Sequence, residues 1–157
     1  MVPTLRAAAC AAALLVAGCG KDSTSPTPPE IEKTTFASSL NIDLATMTKT
    51  ADGLYYKDIT VGTGATIATG QLVGARYKGW LADGTLFDSN VGAQSAFPFH
   101  FGRGEVIQGW DLGLVGMKVG GKRLLIIPPS LGYGPDKNGP IPANSILVFE
   151  VTVESAT

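Results

Sequence analysis

The chain has 157 residues, 45% of them hydrophobic, and a formal net charge of −1. That leaves room for one domain and some chain besides, and no basic surface for nucleic acid. Its two cysteines are Cys10 and Cys19, so the folded part has neither a disulfide nor a thiolate metal site.

Residues 1–18 read as a targeting segment. After Arg6, the run Ala7 to Ala17 is apolar but too short for a spanning helix of about 20 residues. It ends Leu15-Val16-Ala17-Gly18-Cys19, which resembles the bacterial lipobox. The resemblance implies that Cys19 becomes the lipid-modified first residue of the mature protein, with the membrane as a partner through that lipid. It also implies a place in the cell envelope, on the periplasmic side. Gly20, where Asp resembles the inner-membrane retention signal, leans toward the outer membrane of a Gram-negative cell. Residues 19–35 are expected to be the lipidated N-terminus and a flexible linker, because Ser, Thr and Pro dominate Ser23 to Pro29 without an apolar period. Residues 36–50 carry Phe36, Leu40, Ile42, Leu44 and Met47 in neither a helical nor a strand period. They read as a loosely packed extension or a lead-in turn. The domain proper is expected over 51–157.

Leu54 to Val61 is rich in aromatic and β-branched residues between glycines, and reads as a strand. Gln71 to Leu81 reads as a second, with Val73, Ala75, Tyr77, Gly79 and Leu81 on one face and Arg76 and Lys78 on the other. Asp83-Gly84 marks a hairpin, and Thr85 to Ser89 leads out of it. Asn90 to Ala96 reads as a loop or bulge. Phe97, Phe99 and Phe101 alternate on one side of a short strand that Pro98 keeps at an edge. Glu105 to Met117 reads as the one clear helix, with Val106, Trp110 and Leu114 at i, i+4, i+8 and Ile107 beside them. Glycine costs a helix about 1 kcal/mol against alanine. Gly109 and Gly113 therefore suggest that a sheet approaches closely there, and Trp110 lies between helix and sheet as core filler or as the floor of a pocket. Lys122 to Ile127 is a further strand, stopped by Pro128-Pro129. Ser130 to Asn144 is a long Gly/Pro-rich loop, of a length that is usually functional. Ile146 to Val153 closes the chain as a strand with Leu147, Phe149, Val151 and Val153 facing in. One helix against one sheet is an α+β domain.

Templates for covalent, metal or phosphate chemistry fail. His100 is the sole histidine, and Gly102-Arg103-Gly104 lacks the third glycine of a dinucleotide fingerprint. No cofactor is expected. The surplus is aromatic: Tyr77, Phe87, Phe97, Phe99, Trp110, Tyr133 and Phe149, which period alone would read as core.

Ordered motifs decide otherwise. They are Tyr77-Lys78-Gly79, Asp83-Gly84 with Phe87-Asp88-Ser89, and Gly104 to Trp110. Met117 to Lys122, Tyr133-Gly134 and Leu147 to Val151 follow. Together, over residues 52–154, they resemble the FKBP-type peptidyl-prolyl cis/trans isomerases. The resemblance implies an antiparallel sheet of roughly five or six strands wrapped around one short helix. It implies catalysis of X-Pro isomerisation in a site formed by Tyr77, Phe87, Asp88, Phe97, Val106, Ile107, Trp110, Tyr133, Ile141 and Phe149, with Phe99 also touching substrate. Trp110 would be the floor under the proline ring, and Tyr77, Phe97 and Phe149 the walls. Ile107 N–H and the Tyr133 hydroxyl would donate to substrate carbonyls, and Asp88 would hold the rim. Proline-containing segments of unfolded or exported proteins would be substrates, and macrolide inhibitors would bind. Two departures fall at the rim. Residues 90–96 lack an arginine common in the family, and Lys137-Asn138 and Pro140 stand where a histidine and an aliphatic residue are usual. The competing reading is a proline-segment binding module or chaperone without turnover.

Overall fold

The computed structural model describes residues 28–157. The targeting segment, Cys19 and most of the expected linker lie outside those residues. Seven antiparallel strands form one sheet. They are β1 (Thr48–Lys49), β2 (Tyr55–Thr60), β3 (Leu72–Leu81), β4 (Leu86–Ser89), β5 (Phe97–His100), β6 (Lys122–Ile127) and β7 (Leu147–Ala156), with the helix α1 (Gln108–Gly113) between β5 and β6. The order across the sheet is β1-β2-β6-β7-β3-β4, and β5 shares the β4 edge of β3. The count exceeds the expected five or six because the two-residue β1 joins the edge and the outer strand is split in two. Asn90 bridges the split. Its side chain accepts from Tyr77 N–H at 2.7 Å and donates to the Ala75 carbonyl at 2.9 Å, standing in for a missing strand residue.

The helix is shorter than its apolar period. Val106 and Ile107 precede it, and only 6 residues are helical. The turn before it is bent by Gly102 and Gly104, both in the left-handed region, and the Asp111 carboxylate accepts their two N–H groups at 2.9 and 3.0 Å. So short a helix is marginal by itself. Arg123 secures its far end. That guanidinium is 5% exposed, donates to the Gly113 and Val115 carbonyls at 2.8 and 2.9 Å, and pairs with Asp58 at 2.7 and 3.1 Å. It thereby satisfies carbonyls that a helix end leaves open. The two helix glycines do what their presence suggested. Gly109 faces Ile127 and Gly113 faces Leu125, both on β6, so the helix backbone lies directly on the sheet.

The main core fills the helix side of the sheet, with Val73, Ala75, Leu125, Ile127, Phe149, Val151 and Val153 under α1. A second core covers the opposite face. Here the structure corrects two expectations. The linker does not run to residue 35, because Ile31 is 3% exposed and packs with Tyr55, Ile126 and Ile146. Nor is 36–50 loosely attached: Phe36, Ile42, Leu44 and Met47 lie against the same cluster. These residues are apolar without a regular period because they pass through three single 3-10 turns, 31–33, 38–40 and 44–46, in place of one long element.

Gly109→Ala tests the helix–sheet approach. A Cβ there would meet Ile127, with Cδ1 at 2.8 Å and Cγ1 at 2.9 Å. The variant is expected to lose about 1–3 kcal/mol by overpacking, despite a gain of about 1 kcal/mol in helix propensity. Denaturant unfolding showing a more stable variant would mean that the helix rides clear of β6.

Candidate active site

A cavity of about 360 Å³ opens between the helix N-terminus, β3–β5 and the loop after β6. Its lining is Tyr77, Phe87, Asp88, Phe97, Glu105, Val106, Ile107, Trp110, Tyr133 and Phe149. Sequence separation between these residues reaches from 77 to 149, and the sheet closes it. β3 pairs with β7 so that Gly79 stands opposite Phe149 and Tyr77 opposite Val151. Gly79 must be glycine there. A Cβ would come within 2.6 Å of Phe87 Cζ and 2.8 Å of Phe149 Cε1; its absence lets those two rings meet edge to face at 5.4 Å.

Trp110 is 4% exposed and still fronts the cavity. Tyr77, Phe99 and Phe149 meet it at centroid distances of 5.2, 5.6 and 5.4 Å, all T-shaped, a geometry that aromatic quadrupoles favour. Its N–H is buried without an acceptor among the described residues. The Tyr77 hydroxyl donates to Asp88 Oδ2 at 2.7 Å, while Asp88 Oδ1 accepts from Ser89 N–H at 2.8 Å. Burial raises the Tyr77 phenol well above its ordinary value, and the hydrogen bond to Asp88 and that carboxylate's charge push the same way. Tyr133 is raised too, by burial first and by Asp88 second. The Tyr133 hydroxyl makes no protein hydrogen bond among the described residues, and no acceptor there takes the Ile107 N–H. Tyr77 is thus a committed donor, whereas the Ile107 N–H and the Tyr133 hydroxyl have no protein acceptor among the described residues.

The site residues named from sequence divide unequally. Nine of them line the cavity: Tyr77, Phe87, Asp88, Phe97, Val106, Ile107, Trp110, Tyr133 and Phe149. Phe99 and Ile141 do not. Both are buried in the main core, and Phe99 supports Trp110 from behind, since a β5 side chain two residues from Phe97 drops beneath the wall. Glu105 was missed. It lines the mouth, accepts from His100 N–H and pairs with His100 Nδ1, each at 2.8 Å, and these bonds hold its carboxyl below the usual range. A Glu before an apolar run resembles an ordinary helix start, so nothing local marked it. The loop of 90–96 lacks its own arginine, yet Arg76 reaches it from β3. Arg76 Nη1 donates to the Asn90, Ala93 and Ser95 carbonyls at 3.2, 2.8 and 2.9 Å.

The model of the FKBP-type peptidyl-prolyl cis-trans isomerase family matches residues 64–154. The chain belongs to this family. It is 51% identical over 110 residues to FK506-binding protein 4 of Rhizopus delemar, covering 69% of this chain and 28% of that protein. It is 47% identical over 103 residues to the peptidyl-prolyl cis-trans isomerase of Saccharomyces cerevisiae, covering 66% and 25%. The chain therefore spans about a quarter of the curated relatives it matches. Solved AtFKBP13 superposes with a TM-score of 0.65 at 36% identity, over 71% of this chain and 98% of that one. FkpA from Escherichia coli gives a TM-score of 0.67 at 33% identity, over 76% and 55%. The FKBP fold, an antiparallel sheet with one short helix, is shared with both.

Burial first and Asp88 second hold the two phenols of the FKBP pocket neutral. Because the folded phenols are raised, their neutral forms stabilise the fold fully below pH 10, and that contribution is lost as pH climbs through the raised values. In Asp88→Asn, the late phenolate transitions of Tyr77 and Tyr133 are expected to move down toward 10, read by alkaline absorbance titration. Unmoved transitions would show that burial alone raises them.

Proposed function

We propose that this protein is a peptidyl-prolyl cis/trans isomerase that acts on proline-containing segments of exported proteins from an anchored position. The observation that carries the reading is an apolar aromatic cavity with a tryptophan floor, two unengaged donors at its mouth and a lining that holds no Ser, Thr, Cys, Lys or His. X-Pro isomerisation is slow, tens to hundreds of seconds unassisted, because amide resonance must be broken. The planar amide is charge-separated and is destabilised by transfer to an apolar cavity. The twisted amide has lost that separation and is tolerated better, so the cavity binds the transition state differentially. In this reading the proline ring lies on Trp110 between Tyr77, Phe97 and Phe149. Ile107 N–H and the Tyr133 hydroxyl fix the flanking carbonyls. Asp88 holds Tyr77 upright through their 2.7 Å bond, keeping the wall rigid. No proton is transferred, which suits a site whose tyrosines are held neutral.

Macrolide inhibitors of the FKBP family would occupy the same cavity. The anchored position rests on the Val16-Ala17-Gly18-Cys19 run and the polar sequence after it. Among the described residues no helix is long and apolar enough to cross a membrane. In this reading attachment is through lipid at Cys19, with the domain in the cell envelope.

Proline-peptide isomerisation and denaturant unfolding of Trp110→Leu, on one preparation, test the site. A floor residue is expected to lower kcat per folded molecule by about tenfold or more, beyond a packing loss of about 2–4 kcal/mol. Tacrolimus should compete with the peptide in the parent protein. Parental activity per folded variant molecule would favour a core role for Trp110, and an inactive parent that still binds proline peptides would favour a binding module.

Anchoring is tested separately by Cys19→Ser, which is expected to shift the protein from the membrane to the soluble fraction. Unchanged fractionation would reject lipid attachment.

A further inference from the structure

The family match begins at residue 64, yet the chain from Glu30 to Met47 is folded onto the domain. It touches the sheet face opposite the cavity, and none of its residues lines the cavity. Its contacts fall on the segments that carry the two sides of the mouth. Ile31 lies in one buried cluster with Tyr55, Ile126 and Ile146. Ile126 is the penultimate residue of β6, just before the turn that leads to Tyr133. Ile146 ends the same loop, immediately before β7, which carries Phe149. Ile31 thus shares one cluster with both stems of the Tyr133 loop, and it lines a cleft with Pro128, Pro129 and Ser130.

On the other side, Ala37 N–H donates to the Ala82 carbonyl at 2.9 Å. Gly84 lies close enough that a Cβ there would meet Ala37 Cβ at 3.0 Å. Ala82 to Thr85 is the hairpin that turns into β4, the strand of Phe87 and Asp88. Between these points Glu32 accepts from Tyr55 Oη at 2.7 Å and pairs with Lys49, and Lys57 donates to Thr46 Oγ1 at 2.9 Å.

We infer that residues 30–47 are a brace, with Ile31 and Ala37 as positioning residues that hold the Tyr133 loop and the Phe87–Asp88 strand at a fixed separation across the cavity mouth. This inference rests on the isomerase reading of that cavity. The physical need is plain. The Tyr133 loop is long, and its backbone bonds stay within it: Gly134 N–H to the Pro129 carbonyl at 2.9 Å, Asn144 N–H to the Gly134 carbonyl at 2.8 Å, and Asn138 and Ile141 bonded to each other at 3.0 and 2.9 Å. A loop whose stems are free samples many positions, whereas a donor such as the Tyr133 hydroxyl is useful only when its supports are locked. Tying the stems from behind locks them without occupying the site.

Two substitutions in the full chain separate the two ends of the brace. Ile31→Ala removes the plug between the loop stems. Ala37→Pro removes the N–H bonded to Ala82 and sets the ring Cδ against that carbonyl, which pushes the two segments apart locally, while the backbone φ of −58 is one that proline adopts. Hydrogen exchange should show lost amide protection over 129–147 in Ile31→Ala and over 82–88 in Ala37→Pro, with the centre of β7 and β3 unchanged. Both variants should lose about three- to tenfold in kcat/KM per folded molecule. Protection lost evenly across the sheet, or local loss with parental kcat/KM, would reduce the segment to a stabilising cover and overturn the inference. If Ile31→Ala does not fold, Ala37→Pro decides by the same two readings. An inactive parent chain would sink the isomerase reading instead, and the exchange pattern would then judge the brace unaided.

Discussion

The packing of one indole against rings from three strands governs the rest of this molecule. Tyr77 from β3, Phe97 and Phe99 from β5, and Phe149 from β7 all meet Trp110 at steep angles, between 66° and 90°. Edge-to-face contacts of that kind are the arrangement aromatic quadrupoles favour, and they fix the tilt and depth of the ring. The helix must therefore present the indole at the right depth, and a six-residue helix has little stability of its own with which to do so. Gly109 and Gly113 let it sit directly on Ile127 and Leu125. Asp111 fixes the loop ahead of it and Arg123 the carbonyls behind it. Core filler and pocket floor are then one role: the residue is 4% exposed and still lines the cavity.

Polar groups around the cavity are divided between those spent on rigidity and those without a protein partner among the described residues. Asp88 consumes the Tyr77 hydroxyl, Glu105 is tied to His100, and Arg76 gathers three carbonyls of the 90–96 loop from below. The Ile107 N–H and the Tyr133 hydroxyl have no such partner among the described residues. A buried guanidinium such as Arg123 would be costly if unpaired, but each of its nitrogens is engaged and its plane lies 4.5 Å over the Tyr56 ring. The electrostatics of this domain serve geometry, and the apolar cavity serves the chemistry proposed for it.

The sheet has two faces to cover, and the chain covers them by different means. On one side the helix and its rings form the main core. On the other, Ile126, Ile146 and Tyr55 would stand in water without Ile31, Phe36 and Met47 over them. This explains why Leu124 to Ile127 reads as an unbroken apolar run where a half-exposed strand would alternate.

Much of the site was legible in the residues themselves. Alternation placed Leu147, Phe149, Val151 and Val153 on the inner face, Asp83-Gly84 marked the hairpin, and glycine in a helix signalled close approach. All follow from short-range backbone geometry, which a few neighbouring residues determine. The spaced motifs around Tyr77, Trp110, Tyr133 and Phe149 pointed to one family and, through it, to nine of the lining residues. What sequence could not reach depended on contacts between distant segments. The helix is shorter than its apolar stripe because Gly102 and Gly104 turn the chain before it. Phe99 and Ile141 carry the right residue types yet lie one layer too deep. Glu105 is held at the mouth by His100 at the end of β5, only five residues back, but through a turn that no motif marks. Ile31 belongs to the core although its neighbours in sequence are polar, because the surface it covers is made by residues about a hundred positions further along. Periodicity reports which face of its own element a residue occupies. What lies against that face is settled only when the sheet has closed.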